Sequence, residues 1–158
     1  YGLQILTGAN NNQIQGGAYF NNTGASNCRG IYCNGVQGNS IIGVDVYGNN
    51  EHGILLSTNA NYNIVAECYV HDNGVAGGAA TQDGIVIAGG DYNMIINCYA
   101  WNNPRGNINI YNNLSDNNTI GNCFTYGTCT VNINDAGIGT KITAGCWNGT
   151  VYLPPSTS

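Results

Sequence analysis

Two short motifs alternate along this chain, and their spacing constrains its fold more than any other feature. The first reads Asn-x-aliphatic-x-x-Cys, then an aromatic-rich stretch and another Asn, as in NIVAECYVHDN from Asn63 and NMIINCYAWNN from Asn93. The second reads Gly-Ile-x-aliphatic, as in GILL from Gly53 and GIVI from Gly84. Equivalent aliphatic residues of the second motif lie 20–31 residues apart, a period typical of solenoids. They are Leu3, Ile31, Ile54, Ile85, Ile108, Val131 and Val151.

Each repeat contains short stretches in which apolar and polar residues alternate, and it shows no helical period, so the sequence predicts a β-solenoid. We expect about six coils of 20–31 residues, forming one domain over residues 1–153, with a tail at 154–158. Equivalent inward residues of neighbouring coils should stack about 4.8 Å apart. Two such ladders are predicted: Ile31, Ile54, Ile85, Ile108 and Val131, and Cys33, Leu56, Ile87, Ile110 and Ile133.

The unusual composition, 28 Asn and 24 Gly, fits sharp solenoid turns. Asn tolerates left-handed backbone conformations, and its side-chain amide can hydrogen-bond from one coil to the next. We therefore expect a bonded ladder of Asn39, Asn63, Asn93 and Asn118.

Seven cysteines are present, and three of them share one inward column with Val44. These three, Cys68, Cys98 and Cys123, are predicted to be buried free thiols, because buried cysteine behaves as a small apolar residue. Cys28 with Cys33, or Cys123 with Cys129, could instead form disulfides. The chain has no CxxC pair and no zinc-type spacing, so neither a metal site nor a cofactor is predicted.

The charge balance excludes some functions. The chain has three cationic residues (Arg29, Arg105 and Lys141) and a net charge of −5, which argues against nucleic-acid binding. No apolar run approaches the roughly 18 residues of a membrane span, so we expect no membrane insertion. The chain begins at Tyr1 without Met and starts inside a coil, which suggests a piece of a longer protein or assembly.

The alternating motifs, from Gly2 to Leu153, resemble the parallel β-helix repeats of the pectate-lyase-like superfamily. That group includes polysaccharide lyases, mannuronan epimerases, NosD-like proteins and phage tailspikes. The resemblance implies an all-β, right-handed parallel β-helix that meets polysaccharide, but it leaves the activity open because members differ in function. The Asp-Pro-His motif of alginate epimerases is absent, and only the dipeptide His71-Asp72 is present.

Outward positions of the first motif are rich in aromatic residues. One predicted column contains Phe20, Tyr47, His71, Trp101 and Tyr126, and the other contains Ala18, Asp45, Tyr69, Tyr99 and Phe124. Tyr47, Tyr69, Tyr99, Trp101 and Tyr126 are candidate substrate-binding residues, because sugar C–H faces stack on aromatic rings. Burial against another subunit, or under the insertions near Thr23–Cys28 and Gly74–Thr81, would also explain these columns.

Charged residues gather around the turn before the second motif. The candidate catalytic residues are Glu51, His71, Asp72, Asp83 and Arg105. Two carboxylates, Asp72 with Asp83 or Glu51 with Asp83, could support glycoside hydrolysis. A cation with His71 or a Tyr as base could instead support lyase or epimerase chemistry. Alternatively, these charged residues form ordinary ion pairs on a solvent-exposed turn and have no catalytic role.

These features lead to two functional hypotheses. The first is an extracellular domain that binds or modifies polysaccharide. The second is a non-catalytic structural module of a surface fibre, filament or tailspike, located on a cell surface or virion. Open coil ends expose unpaired strand edges, which favours end-to-end stacking of copies. Burial of the aromatic columns against other subunits would instead give a trimer.

Overall fold

The computed structural model describes residues 1–24, 26–75, 82–111, 114–143, 146–147 and 152–153. The predicted tail at 154–158 and residues 76–81 of the Gly74–Thr81 insertion lie outside this set. In chain order the strands are β1 (Leu3–Leu6), β2 (Gln13–Gln15), β3 (Ala18–Phe20), β4 (Ile31–Asn34), β5 (Ser40–Ile42), β6 (Asp45–Tyr47), β7 (Ile54–Ser57), β8 (Ile64–Ala66), β9 (Tyr69–His71), β10 (Asp83–Ala88), β11 (Met94–Ile96), β12 (Tyr99–Trp101), β13 (Gly106–Tyr111), β14 (Thr119–Gly121), β15 (Phe124–Tyr126), β16 (Val131–Asp135), β17 (Lys141–Ile142), β18 (Cys146–Trp147) and β19 (Tyr152–Leu153).

The strands form three sheets, because each coil contributes one strand to each sheet before the chain returns to the first. Sheet A contains β1, β4, β7, β10, β13 and β16; sheet B contains β2, β5, β8, β11, β14 and β17; sheet C contains β3, β6, β9, β12, β15, β18 and β19. Neighbouring strands are parallel, apart from the antiparallel pair β18–β19. The protein is thus a parallel β-solenoid of about five turns, which confirms the predicted fold class. Among the described residues, none belongs to a helix that could cross a membrane.

The core consists of aliphatic columns inside the coils, in the register that the motif spacing predicted for most of the chain. Ile31, Ile54, Ile85 and Ile108 pair in sequence and are fully buried. Sheet B contributes a further continuous column, which comprises Ile14, Ile41, Val65, Ile95, Ile120 and Ile142.

The predicted ladders are wrong at the last strand of sheet A. Ile108 pairs with Ile133 rather than with Val131, which pairs with Gly106 and is 39 % exposed. Ile110 likewise pairs with Asp135. A shift of two residues keeps every side chain on the same face, so hydrophobic alternation could not detect it. The observed register places Asn134 opposite Asn109, and their side chains hydrogen-bond at 2.9 Å.

The predicted Asn ladder is confirmed and has a second counterpart. In the first, the Oδ1 of Asn63 accepts hydrogen bonds from the backbone N and side-chain Nδ2 of Asn39, at 2.9 and 3.2 Å. The second ladder, which was not predicted, runs through Asn22, Asn49, Asn73 and Asn103 at the end of the first motif. The motif glycine adjoins this ladder in a space that admits no side chain: a Cβ on Gly53 would lie 2.5 Å from Val70 Cγ1, 2.7 Å from the Gly84 carbonyl oxygen and 2.8 Å from the Asn73 Nδ2.

Left-handed residues occupy separate columns at the corners. One comprises Asn21, Gly48, Asp72, Asn102 and Gly127, and another comprises Gly16, Gly43, Glu67, Asn97 and Asn122, all with positive φ. The bonded ladders use the side-chain amide of Asn, and the corner columns use its tolerance of left-handed backbone. Asn97 and Asn122 combine the two properties, because their side chains also hydrogen-bond from coil to coil.

Cys68, Cys98 and Cys123 form the predicted column of buried thiols, and none of the three is in a disulfide. Each Sγ donates to the carbonyl oxygen two residues earlier, at 3.1 to 3.3 Å. Hydrogen bonds with the neighbouring thiols, together with burial, raise the pKa of Cys98 well above its ordinary value. Cys28, Cys33 and Cys129 are free as well, so neither possible disulfide is present. Burial in apolar surroundings favours the protonated thiol, as at Cys33, where it raises the pKa to about 12.

Candidate functional site

The outward side of sheet C carries two rows of rings. Side chains alternate across a strand, so with Val46, Val70 and Ala100 buried inside, the residues on either side of them point outward. The His71 row comprises Phe20, Tyr47, His71, Trp101 and Tyr126, and the Tyr69 row comprises Tyr69, Tyr99 and Phe124. We call the two rows together the aromatic face.

Rings of the His71 row are stacked nearly parallel along the solenoid axis. Phe20 and Tyr47 have centroids 5.0 Å apart, Tyr47 and His71 5.2 Å, His71 and Trp101 4.1 Å, and Trp101 and Tyr126 5.4 Å, all with interplanar angles of 3–5°. The face of each inner ring is therefore covered by its neighbours. Sequence reasoning expected sugars to stack on these faces, but the structure offers ring edges and hydroxyl groups instead.

The Tyr69 row is stacked in the same way and lies beside the His71 row. Tyr69 and Tyr99 have centroids 5.4 Å apart, and Tyr99 and Phe124 are 5.2 Å apart. The two rows are offset by two residues along each strand, or about 7 Å, so ring edges of one row adjoin those of the other. Tyr69 is 49 % exposed and Tyr126 is 44 % exposed, so the combined surface is open to solvent.

Carboxylates hold His71 from both sides. Its Nδ1 lies 2.8 Å from the Oδ2 of Asp72, and its Nε2 lies 3.2 Å from the Oδ1 of Asp45. Both carboxylates are about half exposed, and Asn102 donates to the other oxygen of Asp72 at 3.1 Å. An imidazolium can donate through both nitrogens, whereas a neutral imidazole donates through one. This arrangement fixes the ring in the row and presents two acidic side chains at its edges.

A second charged group, the Asp83 centre, lies at the start of the sheet A strands. Asp83 is fully buried, and Arg105 donates to both of its oxygens through Nε and Nη2. Asn109 Nδ2 donates at 3.2 Å and Tyr111 Oη at 2.8 Å. Gly106 makes room for this group, because a Cβ there would lie 2.9 Å from the Asp83 Oδ1. The carboxylate is thus saturated with donors and closed to solvent.

Burial sets the protonation of this centre. It raises the pKa of Asp83 above its ordinary value, while the hydrogen bonds from Arg105 and Asn109 oppose the shift. Burial also lowers the pKa of His52 to about 4. The Nδ1 of His52 accepts from the backbone N–H of Asp83 at 3.0 Å, so the neutral ring carries its proton on Nε2.

Glu51 belongs to a third, separate pair. Its Oε2 lies 3.1 Å from the Nη2 of Arg29, and its Oε1 accepts from the backbone N–H of Asn27. The Arg29 guanidinium lies 4.9 Å from the centre of the Tyr32 ring. Glu51 is therefore held by the turn before β4, one column away from Asp83.

The structure brings only some of the candidate catalytic residues together. Asp83 and Arg105 form one group and His71 and Asp72 another, on either side of the turn that joins sheet C to sheet A. Asp45, His52, Asn109 and Tyr111 belong to these groups but were not among the candidate catalytic residues. Asp45 was visible in the outward column beside Tyr69, and His52 in the column of Asp83. Asn109 and Tyr111 gave no signal, because they reach Asp83 from the neighbouring strand.

A cleft of about 410 Å³ lies elsewhere, at the corner between sheets A and B. It is lined by Thr58, Asn59, Ala88, Gly89, Asp91, Leu114 and Asp116. None of the predicted site residues lines it. Within the described ranges, no group of three or more His, Cys, Asp or Glu side chains could hold a metal ion.

Of the comparisons with known proteins, the one with solved structures agrees with this architecture. No family model matches the chain, and no curated protein matches it. Among solved structures, the crystal structure of pectate lyase Pel9A superimposes with a TM-score of 0.57 at 15 % sequence identity, over 82 % of this chain. The match spans 28 % of that lyase. The chain therefore has the pectate-lyase-like parallel β-helix fold.

Proposed function

We propose that this chain is a polysaccharide-binding β-helix domain and that the aromatic face is its binding surface. The observation that best supports this is the exposure of the rings: five of them, Phe20, Tyr69, Tyr99, Phe124 and Tyr126, are 39–49 % exposed. Contiguous exposed apolar surface of this kind is typical of binding sites. The fold shared with a pectate lyase is consistent with a carbohydrate ligand.

The geometry favours contact with ring edges and hydroxyl groups. Tyr47, Tyr69, Tyr99 and Tyr126 supply phenolic hydroxyls that can donate to or accept from sugar hydroxyls. Asp45 and Asp72 supply acceptors beside His71. Because the coils repeat about every 4.8 Å, a regular polymer running along the axis can make a similar contact in successive coils.

Binding without turnover fits the charged residues better than catalysis. A general acid or base must come within hydrogen-bond distance of the substrate, but Asp83 is buried beneath Arg105 and Tyr111. Glu51 is similarly engaged by Arg29. We therefore assign ligand contact to His71 and Asp72, and a structural function to Glu51, Asp83 and Arg105.

A structural module of a surface fibre or tailspike is the second candidate. The same exposed aromatic face favours it, because copies of this chain could remove these rings from water by packing against each other. An extracellular, cell-surface or virion location would suit either candidate.

Affinity electrophoresis through gels containing soluble polysaccharides, such as hydroxyethyl cellulose, xyloglucan, dextran and pectins, tests the proposal. At least one polymer should retard the protein, and Trp101→Ala should weaken that binding about tenfold by disrupting the row between His71 and Tyr126. The matched control is Tyr92→Ala. Tyr92 stacks on Tyr62 at 5.1 Å and is 50 % exposed, but it precedes a sheet B strand and should leave binding unchanged.

Two results would contradict the binding function. One is the absence of retardation by every polymer. The other is an oligomer in sedimentation velocity that Trp101→Ala dissociates, which would support the structural module. Release of unsaturated or reducing sugars from a bound polymer would show that the domain is catalytic.

A further inference from the structure

We propose that the polysaccharide bound on the aromatic face is uncharged, and that Asp45 and Asp72 exclude acidic polymers from it. This inference rests on the proposed function and adds the substrate class. It follows from the charges beside the rings and from the positions of the cations.

The edge of the His71 row is acidic. Asp45 and Asp72 are about half exposed, and both contact the ring of His71. Even with His71 protonated, these three side chains carry a net negative charge. A polymer lying across the row between Tyr47 and Trp101 would therefore pass close to two carboxylates.

The cations are held elsewhere. The chain has three Lys and Arg residues. Arg29 pairs with Glu51, and Arg105 pairs with Asp83, both at the start of sheet A strands. Lys141 lies in β17 of sheet B. A uronate or sulfate group on the aromatic face would thus meet acidic side chains with no Lys or Arg placed to neutralise it.

Repulsion of an acidic polymer would be concentrated where the polymer passes Asp45 and Asp72, because the other residues in their two columns are uncharged. The overall charge of −5 adds to this effect at a distance. Neutral sugars avoid the repulsion and can still donate hydroxyl hydrogen bonds to Asp45 and Asp72. The two carboxylates thus become specificity-determining residues.

Matched pairs of polymers that share a backbone test this inference. Suitable pairs are hydroxyethyl and carboxymethyl cellulose, β-glucan and carboxymethyl β-glucan, and fully methyl-esterified and de-esterified homogalacturonan. For the backbone that is bound, we expect the uncharged form to bind at least tenfold more tightly than the acidic form in low salt. Asp45→Asn should reduce this ratio severalfold, and added NaCl should reduce it too.

Failure of the inference is distinguishable from failure of the proposed function. If an acidic polymer binds as tightly as its neutral partner and Trp101→Ala weakens both, the aromatic face binds polysaccharide but the substrate class is wrong. If the ratio is high but both Asp45→Asn and Asp72→Asn leave it unchanged, the assignment to these carboxylates is wrong. If no member of any pair binds, the proposed function fails and this inference fails with it.

Discussion

The Asp83 centre and the aromatic face are built by the same coil-to-coil stacking, yet they differ in which side-chain groups remain exposed to solvent. At the Asp83 centre a carboxylate is buried, and four side-chain donor groups from Arg105, Asn109 and Tyr111 point at it. On the aromatic face the rings stack and cover one another's faces, and their edges remain exposed to solvent. A column of similar residues therefore remains available to a ligand only where stacking leaves groups exposed.

The largest difference between the two regions should appear on removing a cation. Arg105→Ala should cost about 3–5 kcal/mol of unfolding free energy, because it leaves the buried Asp83 without its partner. The matched control is Arg29→Ala. Arg29 also contacts a tyrosine ring and a carboxylate, but the Glu51 side chain is 20 % exposed, so the cost should be about 1 kcal/mol. Urea unfolding measures the loss of unfolding free energy in both variants. Equal losses would show that the burial of Asp83 does not make the Arg105–Asp83 pair contribute more than the Arg29–Glu51 pair.

Acidification should also act on the Asp83 centre. The pKa of His52 is about 4 in the folded protein and 6.5 ordinarily, so between these values the unfolded chain binds a proton that the folded chain does not. The titration of His52 therefore leaves the free energy of unfolding unaffected above pH 6.5. As the pH drops towards 4, it lowers that free energy by roughly 3 kcal/mol in total. The raised pKa of Asp83 acts in the opposite sense, because the folded state takes up that proton more readily.

His52→Asn isolates this contribution. The Asn Oδ1 can accept from the backbone N–H of Asp83 in place of Nδ1, but it does not titrate. Unfolding free energies measured from pH 7 to pH 4 should show a shallower decline for the variant. An unchanged slope would assign the acid sensitivity to other groups.

The smallest effect on the free energy of unfolding is expected at a corner beside the aromatic face, where a substitution can be stabilising. Glu67 precedes β9 and has a φ of 56°, in a corner column otherwise occupied by Gly and Asn. Glu67→Asn should stabilise the protein by about 0.5–1 kcal/mol, because Asn adopts left-handed backbone more readily. It could also extend the side-chain pair of Asn97 and Asn122, which bond at 2.8 Å.

Glu67→Gln is the control for this effect, since it removes the charge and keeps the backbone cost. Thermal unfolding should show a gain for Asn and little change for Gln. An equal gain for both would indicate that charge, rather than backbone conformation, limits stability at this corner.

The solenoid was predictable from the amino-acid sequence, because the period and the alternation of apolar and polar residues recur along the chain. They placed the columns of Ile54 and Ile85, the thiols of Cys68 and Cys98, and the outward rings correctly. Stacking in a solenoid depends mainly on neighbouring repeats, so a pattern that recurs along the chain is sufficient to predict it.

How side chains within those columns use their polar atoms and ring faces emerged only from the three-dimensional fold. Alternation permits a shift of two residues in β16, and the observed register is the one that pairs Asn134 with Asn109. The burial of Asp83 depended on Arg105 and Tyr111 closing over it from the next coil. The ring faces of Tyr47 and Trp101 are likewise covered by side chains of the neighbouring coils. Sequence spacing specifies which residues are adjacent, whereas side-chain orientation specifies which of their atoms remain available to a ligand.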